Sequence, residues 1–131
     1  MVDHKPITSE QIETALDAVL ASPFFLNSPR ISKTLRYVVQ ESIQGREKNI
    51  KAYSIAIDVL DKPESFDPSA DPIVRVLAGR LRAALNSYYH SELGQNQDVE
   101  ISVPRGGYVP KFTRLSTVPR AAENSPAAAI L

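Results

Sequence analysis

Cysteine and tryptophan are absent from this 131-residue chain, methionine occurs once, and aromatic residues make up only 7%. Without cysteine there is no disulfide framework, no thiolate nucleophile and no cysteine-based zinc or iron–sulfur site. The two lone histidines, His4 and His90, argue against a metal centre. No apolar run approaches the roughly 18 residues of a membrane span, and no charged-plus-apolar signal segment opens the chain. A soluble cytoplasmic protein with no metal, cofactor or membrane partner is the expectation. Net charge is lacking too: fifteen basic residues stand against fifteen acidic ones. As a bulk number that argues against a nucleic-acid binder, whose domains are often strongly basic. What is present is one domain's length with 43% hydrophobic residues, enough to bury a core.

The hydrophobic pattern predicts helices first and a hairpin last. Residues 1–7 are polar and expected to be flexible. Thr8 with Gln11 three positions on forms a capping box, and Ile12, Ala15, Leu16, Val19 and Leu20 then recur at helical spacing over about 9–21. Pro23 ends that helix, followed by an apolar plug of Phe24, Phe25 and Leu26. Ser28 and Pro29 open a second helix, with Ser as N-cap and Pro at the first helical position. Its buried face is Ile31, Leu35, Val38, Val39 and Ile43, and Gly45 is its stop. A short helical segment runs from Tyr53 to about Leu60, and the proline- and acid-rich stretch 61–71 is a loop. Asp71-Pro72 opens the longest helix, about 72–92, with Gly94 as its end. Val99, Ile101 and Val103 alternate as in a strand, Pro104 to Gly107 is turn chemistry, and Tyr108 to Phe112 returns as a second strand. From Ser116 the composition becomes that of a disordered tail, 116–131. The domain is therefore 8–115: α+β, mostly helical, with extra N-terminal helices and a C-terminal hairpin.

The long helix carries the strongest functional pattern. At about 100° per residue, Val74, Leu77, Ala78, Leu81, Leu85 and Tyr88 cluster on one side as its core face. Opposite them lie Pro72, Val76, Gly79, Ala83 and Asn86, all small or of modest size. Arg75 and Arg82 flank this strip on one side and Arg80 on the other. Small residues allow close approach, while guanidiniums reach phosphates or guanine edges. The plain alternative is a solvated face, with Arg75 paired to acids of the 61–71 loop. In the hairpin, Arg105 stands at a glycine-rich tip beside Gly106, and Lys111 lies on the returning strand. Such a tip suits a phosphate or a narrow minor groove, although a turn needs glycine in any case.

Two stretches resemble a known family. Ile73 to Arg82 and Ile101 to Tyr108 resemble the OmpR/PhoB-type winged-helix domain, with its Arg-Leu-Arg recognition helix and its Arg-Gly-x-Gly-Tyr-like wing. The stretch from about Leu20 to Phe112 is closer still to a bacterial winged-helix module found at the N-terminus of larger signalling proteins, some with adenylate cyclase or tetratricopeptide regions. Phe25, Leu35 to Val39, Lys51, Tyr53, Ile55, Val59, Phe66 to Pro68, Asp71 to Val76, Arg80 to Arg82, Tyr88-Tyr89 and Val103 to Pro110 match its pattern. The resemblance implies a winged helix-turn-helix with 53–60 as positioning helix, 72–92 as recognition helix and 101–112 as wing. It implies that Arg80 and Arg82 face DNA. Two helices here replace the small sheet that opens the OmpR-type domain, and Asp71-Pro72 replaces the usual polar start of the recognition helix. The module is expected to stand alone, without a receiver domain, so switching by phosphorylation of an upstream aspartate is not expected.

Under this resemblance the charge balance separates into blocks. Segments 28–51 (six bases, two acids) and 72–116 (six, three) are basic; segments 1–27 (one, four) and 52–71 (one, five) are acidic. Both basic blocks fall on elements that a winged helix turns toward DNA. The expectation is thus a sequence-specific duplex-DNA-binding regulator of transcription, contacting DNA through Arg75, Gly79, Arg80, Arg82, Arg105 and Gly106. Lys111, Lys33 and Arg36 are added as phosphate contacts. A homodimer is expected on repeated half-sites, with the 9–21 helix and the Phe24-Phe25 plug either as its surface or as part of the core. The five tyrosines fit core or rim better than base stacking, and His90 fits a helix C-terminus. No carboxylate pair, phosphate loop or Ser-His-Asp set marks an enzyme. The main rival is a winged helix that binds another regulator protein, as an anti-activator or adaptor. The next rival is an RNA binder.

Overall fold

The computed structural model describes residues 6–115, so the tail 116–131 and positions 1–5 lie outside the described range. Helix α1, Ser9–Leu20, begins on the expected capping box: the Thr8 hydroxyl accepts the Gln11 N–H at 3.0 Å, and the Gln11 side chain accepts the Thr8 N–H at 2.9 Å. Backbone donors that a helix start leaves unpaired are thereby satisfied. Pro23–Leu26 makes a single turn, α2, that buries Phe25, and Pro29–Ile43 is α3. Ser28 holds the N-cap position of α3, yet its side chain makes no capping bond. Its backbone (φ −132°, ψ 76°) departs from the extended geometry of the Thr8 cap, and the serine that bonds backbone here is Ser32, to the Phe25 carbonyl at 2.8 Å. At the other end Gly45 adopts φ +79°. Its N–H and that of Arg46 close back on Ser42 (3.1 Å) and Glu41 (2.8 Å), the pairing that a left-handed residue permits.

After a 3-10 turn at Glu47–Asn49 come α4 (Ala52–Asp58), an irregular loop, α5 (Ile73–His90), α6 (Glu92–Gln95), and strands β1 (Val99–Ser102) and β2 (Lys111–Arg114). The strands pair antiparallel, Val99 opposite Arg114 and Ser102 opposite Lys111. Several boundaries differ from the sequence expectation: the short helix stops at Asp58, not at Leu60, and the first strand at Ser102, not at Val103. The long helix stops at His90, not at 92: Ser91 is extended (φ −89°, ψ 167°) and caps α6, so Gly94 sits within the next turn rather than ending α5. The returning strand starts at Lys111, not at Tyr108. The next hydrogen-bonding pair after Ser102–Lys111 would set Pro104 against Val109, and a proline has no N–H to donate. An eight-residue loop, 103–110, therefore replaces the tight turn.

The core is one cluster built from α1, α2, α3, α4, α5 and β1. Helix α5 buries Val74, Leu77, Ala78, Leu81, Leu85 and Tyr88, the same six residues its helical wheel places together. Tyr88, 1% exposed, meets Phe24 and Tyr89 edge-on at centroid distances of 6.4 and 4.8 Å. Phe25 is 1% exposed and the α1 stripe of Ile12, Ala15, Leu16 and Val19 is buried in the same cluster. The apolar stripe of α1 and Phe25 of α2 thus complete the core, while Phe24 is half-buried and Leu26 is exposed. The result is an α+β chain, mostly helical, with two helices ahead of α3 and a two-stranded antiparallel hairpin at the end of the described range.

Candidate nucleic-acid interface

Because its apolar stripe is buried, α5 presents the opposite strip outward. Arg75, Val76, Gly79, Arg80, Ala83 and Asn86 are all exposed, Val76 by 52%. Arg75 and Arg80 have no side-chain partner among the described residues; the acidic loop pairs instead through Lys62, 4.0 Å from Asp71. Gly79 lies at mid-helix, where an added Cβ meets nothing within 4 Å. Packing inside the protein gives no reason for a glycine that costs a helix about 1 kcal/mol relative to alanine. Gly79→Ala is accordingly expected to raise stability by about 1 kcal/mol, seen as a higher midpoint in thermal unfolding.

The start of α5 carries an anion of its own. The Asp71 carboxylate accepts the Ile73 N–H at 3.0 Å, which places negative charge at the positive end of the helix dipole. Asp71 is thus a capping residue one position ahead of Pro72.

Arg82 differs from its neighbours. Its Nε donates to the Val103 carbonyl at 2.7 Å, and its Nη2 donates to the carbonyls of Gly107 (2.8 Å) and Pro104 (3.3 Å). Three carbonyls of the hairpin loop hold a guanidinium that the sequence pattern aims outward. The loop is held from its other side as well: Val103 and Pro110 are buried, and Tyr108 packs on the core. Between these anchors the side chains of the tip face solvent. Arg105, Gly106 and Gly107 are exposed, and Gly106 has φ +95°, a conformation that favours glycine. Arg82 and Arg105 border one cleft of about 260 Å³ between α5 and β1.

On the other flank Arg80 lines a groove of about 790 Å³ between α5 and the α2–α3 junction. Phe24, Ile31, Ile73, Val76 and Leu77 supply apolar lining, and Arg30 borders the same groove. Arg30 is a residue that the sequence reading passed over. Its signal was available, since Arg30, Lys33 and Arg36 recur at three-residue spacing, and all three are exposed without a partner among the described residues. Lys111 is exposed on β2, away from the α5 cluster in sequence and held by the ladder opposite Ser102. The structure thus gathers Arg75, Arg80, Arg82, Arg105 and Arg30 around α5, with Lys33 and Arg36 continuing along α3.

The tyrosines take other roles. Tyr37 donates to the Asp58 carboxylate at 2.7 Å, and burial together with that carboxylate pushes its phenol up to about 12. Tyr53 donates to the Glu64 carbonyl at 2.8 Å. The Tyr89 oxygen accepts the Ile101 N–H at 2.9 Å, tying α5 to β1, and burial raises its pKa. These hydroxyls lock elements together. His90 donates through Nδ1 to the Asn86 carbonyl at 2.8 Å, a C-terminal capping contact. Among the described residues no cluster of His, Asp and Glu could hold a metal ion, and no helix is long and apolar enough to cross a membrane. Comparison of the chain with protein-family models, with curated proteins and with solved structures finds no match.

Proposed function

We propose that the chain is a sequence-specific duplex-DNA-binding regulator of transcription, folded as a winged helix-turn-helix of OmpR/PhoB type. Helix α4 is then the positioning helix, α5 lies in the major groove, and the hairpin is a wing on the minor groove or the backbone. One observation carries this: the outward strip of α5 combines small residues with unpaired Arg75 and Arg80, and the exposed Arg105 tip is fixed beside it. A floor of Gly79 and Ala83 permits close approach to base edges, and the flanking guanidiniums supply phosphate or guanine contacts. The basic residues of α3 continue the charge beyond the groove. Neutral net charge is compatible with this reading, because the acids lie mainly in other segments.

Binding to promoter DNA upstream of the chain's own gene, measured at 50 and 200 mM salt, tests it. Each phosphate neutralised adds about 0.9 to the log–log slope, so four contacts weaken binding on the order of a hundredfold across that range. Absence of duplex binding at 50 mM, or a preference for structured RNA, overturns the proposal.

A second reading has its own support. The apolar groove beside Val76, flanked by Arg30 and Arg80, favours a module that binds another regulator protein. Its signature in the same assay is no duplex binding at any salt.

A further inference from the structure

We infer that Arg82, placed by its sequence spacing among the DNA contacts, is instead a positioning residue: a strut that holds the hairpin tip at a set distance from α5. The inference deepens the DNA-binding reading and rests on it for its functional consequence. Its structural basis is independent of that reading. Arg82 Nε–H and Nη2 reach the carbonyls of Val103, Pro104 and Gly107, three of the five residues from 103 to 107, across a separation of 21 to 25 positions in sequence.

Among the described residues no backbone N–H bonds these carbonyls. The ladder stops at Ser102–Lys111, so the loop beyond it receives no cross-strand N–H donors. The planar guanidinium supplies donors in a fork that several carbonyls share, which a lysine ammonium on its flexible stem does not reproduce. Around this anchor, Pro104 restricts the chain on entering the tip and buried Pro110 restricts it on leaving. Arg105 and Gly106 are left projecting from a frame whose position is set by α5 itself. In a domain that lays α5 in one groove, the strut fixes where the tip meets the neighbouring backbone or minor groove. The entropy of ordering the loop is then met in folding rather than in binding.

A strut and a direct contact respond differently to four substitutions. Order parameters from backbone relaxation in the free protein come first. Residues 105–107 should sit near the rigid value of about 0.85 in the native chain and fall below about 0.6 in Arg82→Ala, but stay unchanged in Arg80→Ala. Duplex binding comes second. Arg82→Ala should weaken binding about tenfold in the native background and less than twofold in an Arg105→Ala background, because both act through the tip. Arg82→Lys should behave as Arg82→Ala, whereas a phosphate contact keeps most of its affinity when the charge is kept.

An unchanged loop in Arg82→Ala overturns the strut outright. Equal losses in the two backgrounds, with Arg82→Lys near native affinity, overturn it in favour of a direct DNA contact. Native protein that binds no duplex overturns the DNA reading alone, and the relaxation measurement still decides the strut.

Discussion

Arg75→Ala combined with Arg80→Ala is expected to weaken duplex binding about a hundredfold at 0.1 M salt, with the thermal midpoint unchanged. The two side chains point outward from α5 and have no partner among the described residues, so their removal leaves no buried group unsatisfied. Each contact to a phosphate or a guanine edge contributes on the order of 1–3 kcal/mol, and two at the lower middle of that range give a factor of about a hundred. If both touch phosphate, the magnitude of the salt slope falls by about 1.8, from roughly 0.9 per contact. If one reads a guanine instead, the slope falls by less and discrimination at one base pair is lost. A double variant that binds as the native chain does removes α5 as the reading surface. Gly79→Ala makes a useful companion: on the same reading it gains stability and loses affinity, since its methyl occupies the space a base edge needs. That opposition separates a glycine kept for a ligand from one kept for the fold.

Gly94→Ala is expected to have the largest effect on stability, a loss of about 3 kcal/mol, at the upper end of the range for overpacking. The position looks harmless, a small residue in a one-turn helix near a loop. An added Cβ, however, would run into the Tyr88 carbonyl oxygen and come within 2.6 Å of the Tyr89 Cα and 2.8 Å of the Tyr88 carbonyl carbon. All three are backbone atoms of α5, so no side-chain rotation relieves the clash. Either α6 lifts away or the last turn of α5 distorts. Tyr88 is in the centre of the core and Tyr89 bonds β1, so the disturbance passes to both. Chemical denaturation of Gly94→Ala beside Gly107→Ala checks this: Gly107 has open space and is expected to change stability by less than about 0.5 kcal/mol. Equal midpoints for the two variants refute the close approach.

Both predictions depend on how far local signals reach. The capping box at Thr8, the stop at Gly45 and the six-residue buried stripe of α5 were legible because each involves residues one to four positions apart. Their geometry follows from the helix period alone. The hairpin was legible as alternation, but the returning strand was placed early because the pattern does not show which residues face each other. Only the register sets Pro104 opposite Val109 at the next hydrogen-bonding position, where the missing N–H ends the ladder. The usual preference of glycine for helix ends points Gly94 to that role. Its role is steric and set by the backbone that folds against it.

The arginines divide along the same line. The sequence determined that Arg75, Arg80 and Arg82 leave α5 on the side away from its core, since Cβ direction follows from helical spacing. It also determined the block structure hidden in a net charge of zero. It did not determine where a guanidinium ends up, because a long flexible stem allows either solvent or any acceptor within reach. The tertiary structure left Arg75 and Arg80 free, set Arg30 on the groove that Arg80 lines, and bound Arg82 to carbonyls more than twenty residues away. Those carbonyls are brought within reach only when β1 packs on α5, an event that no local pattern encodes.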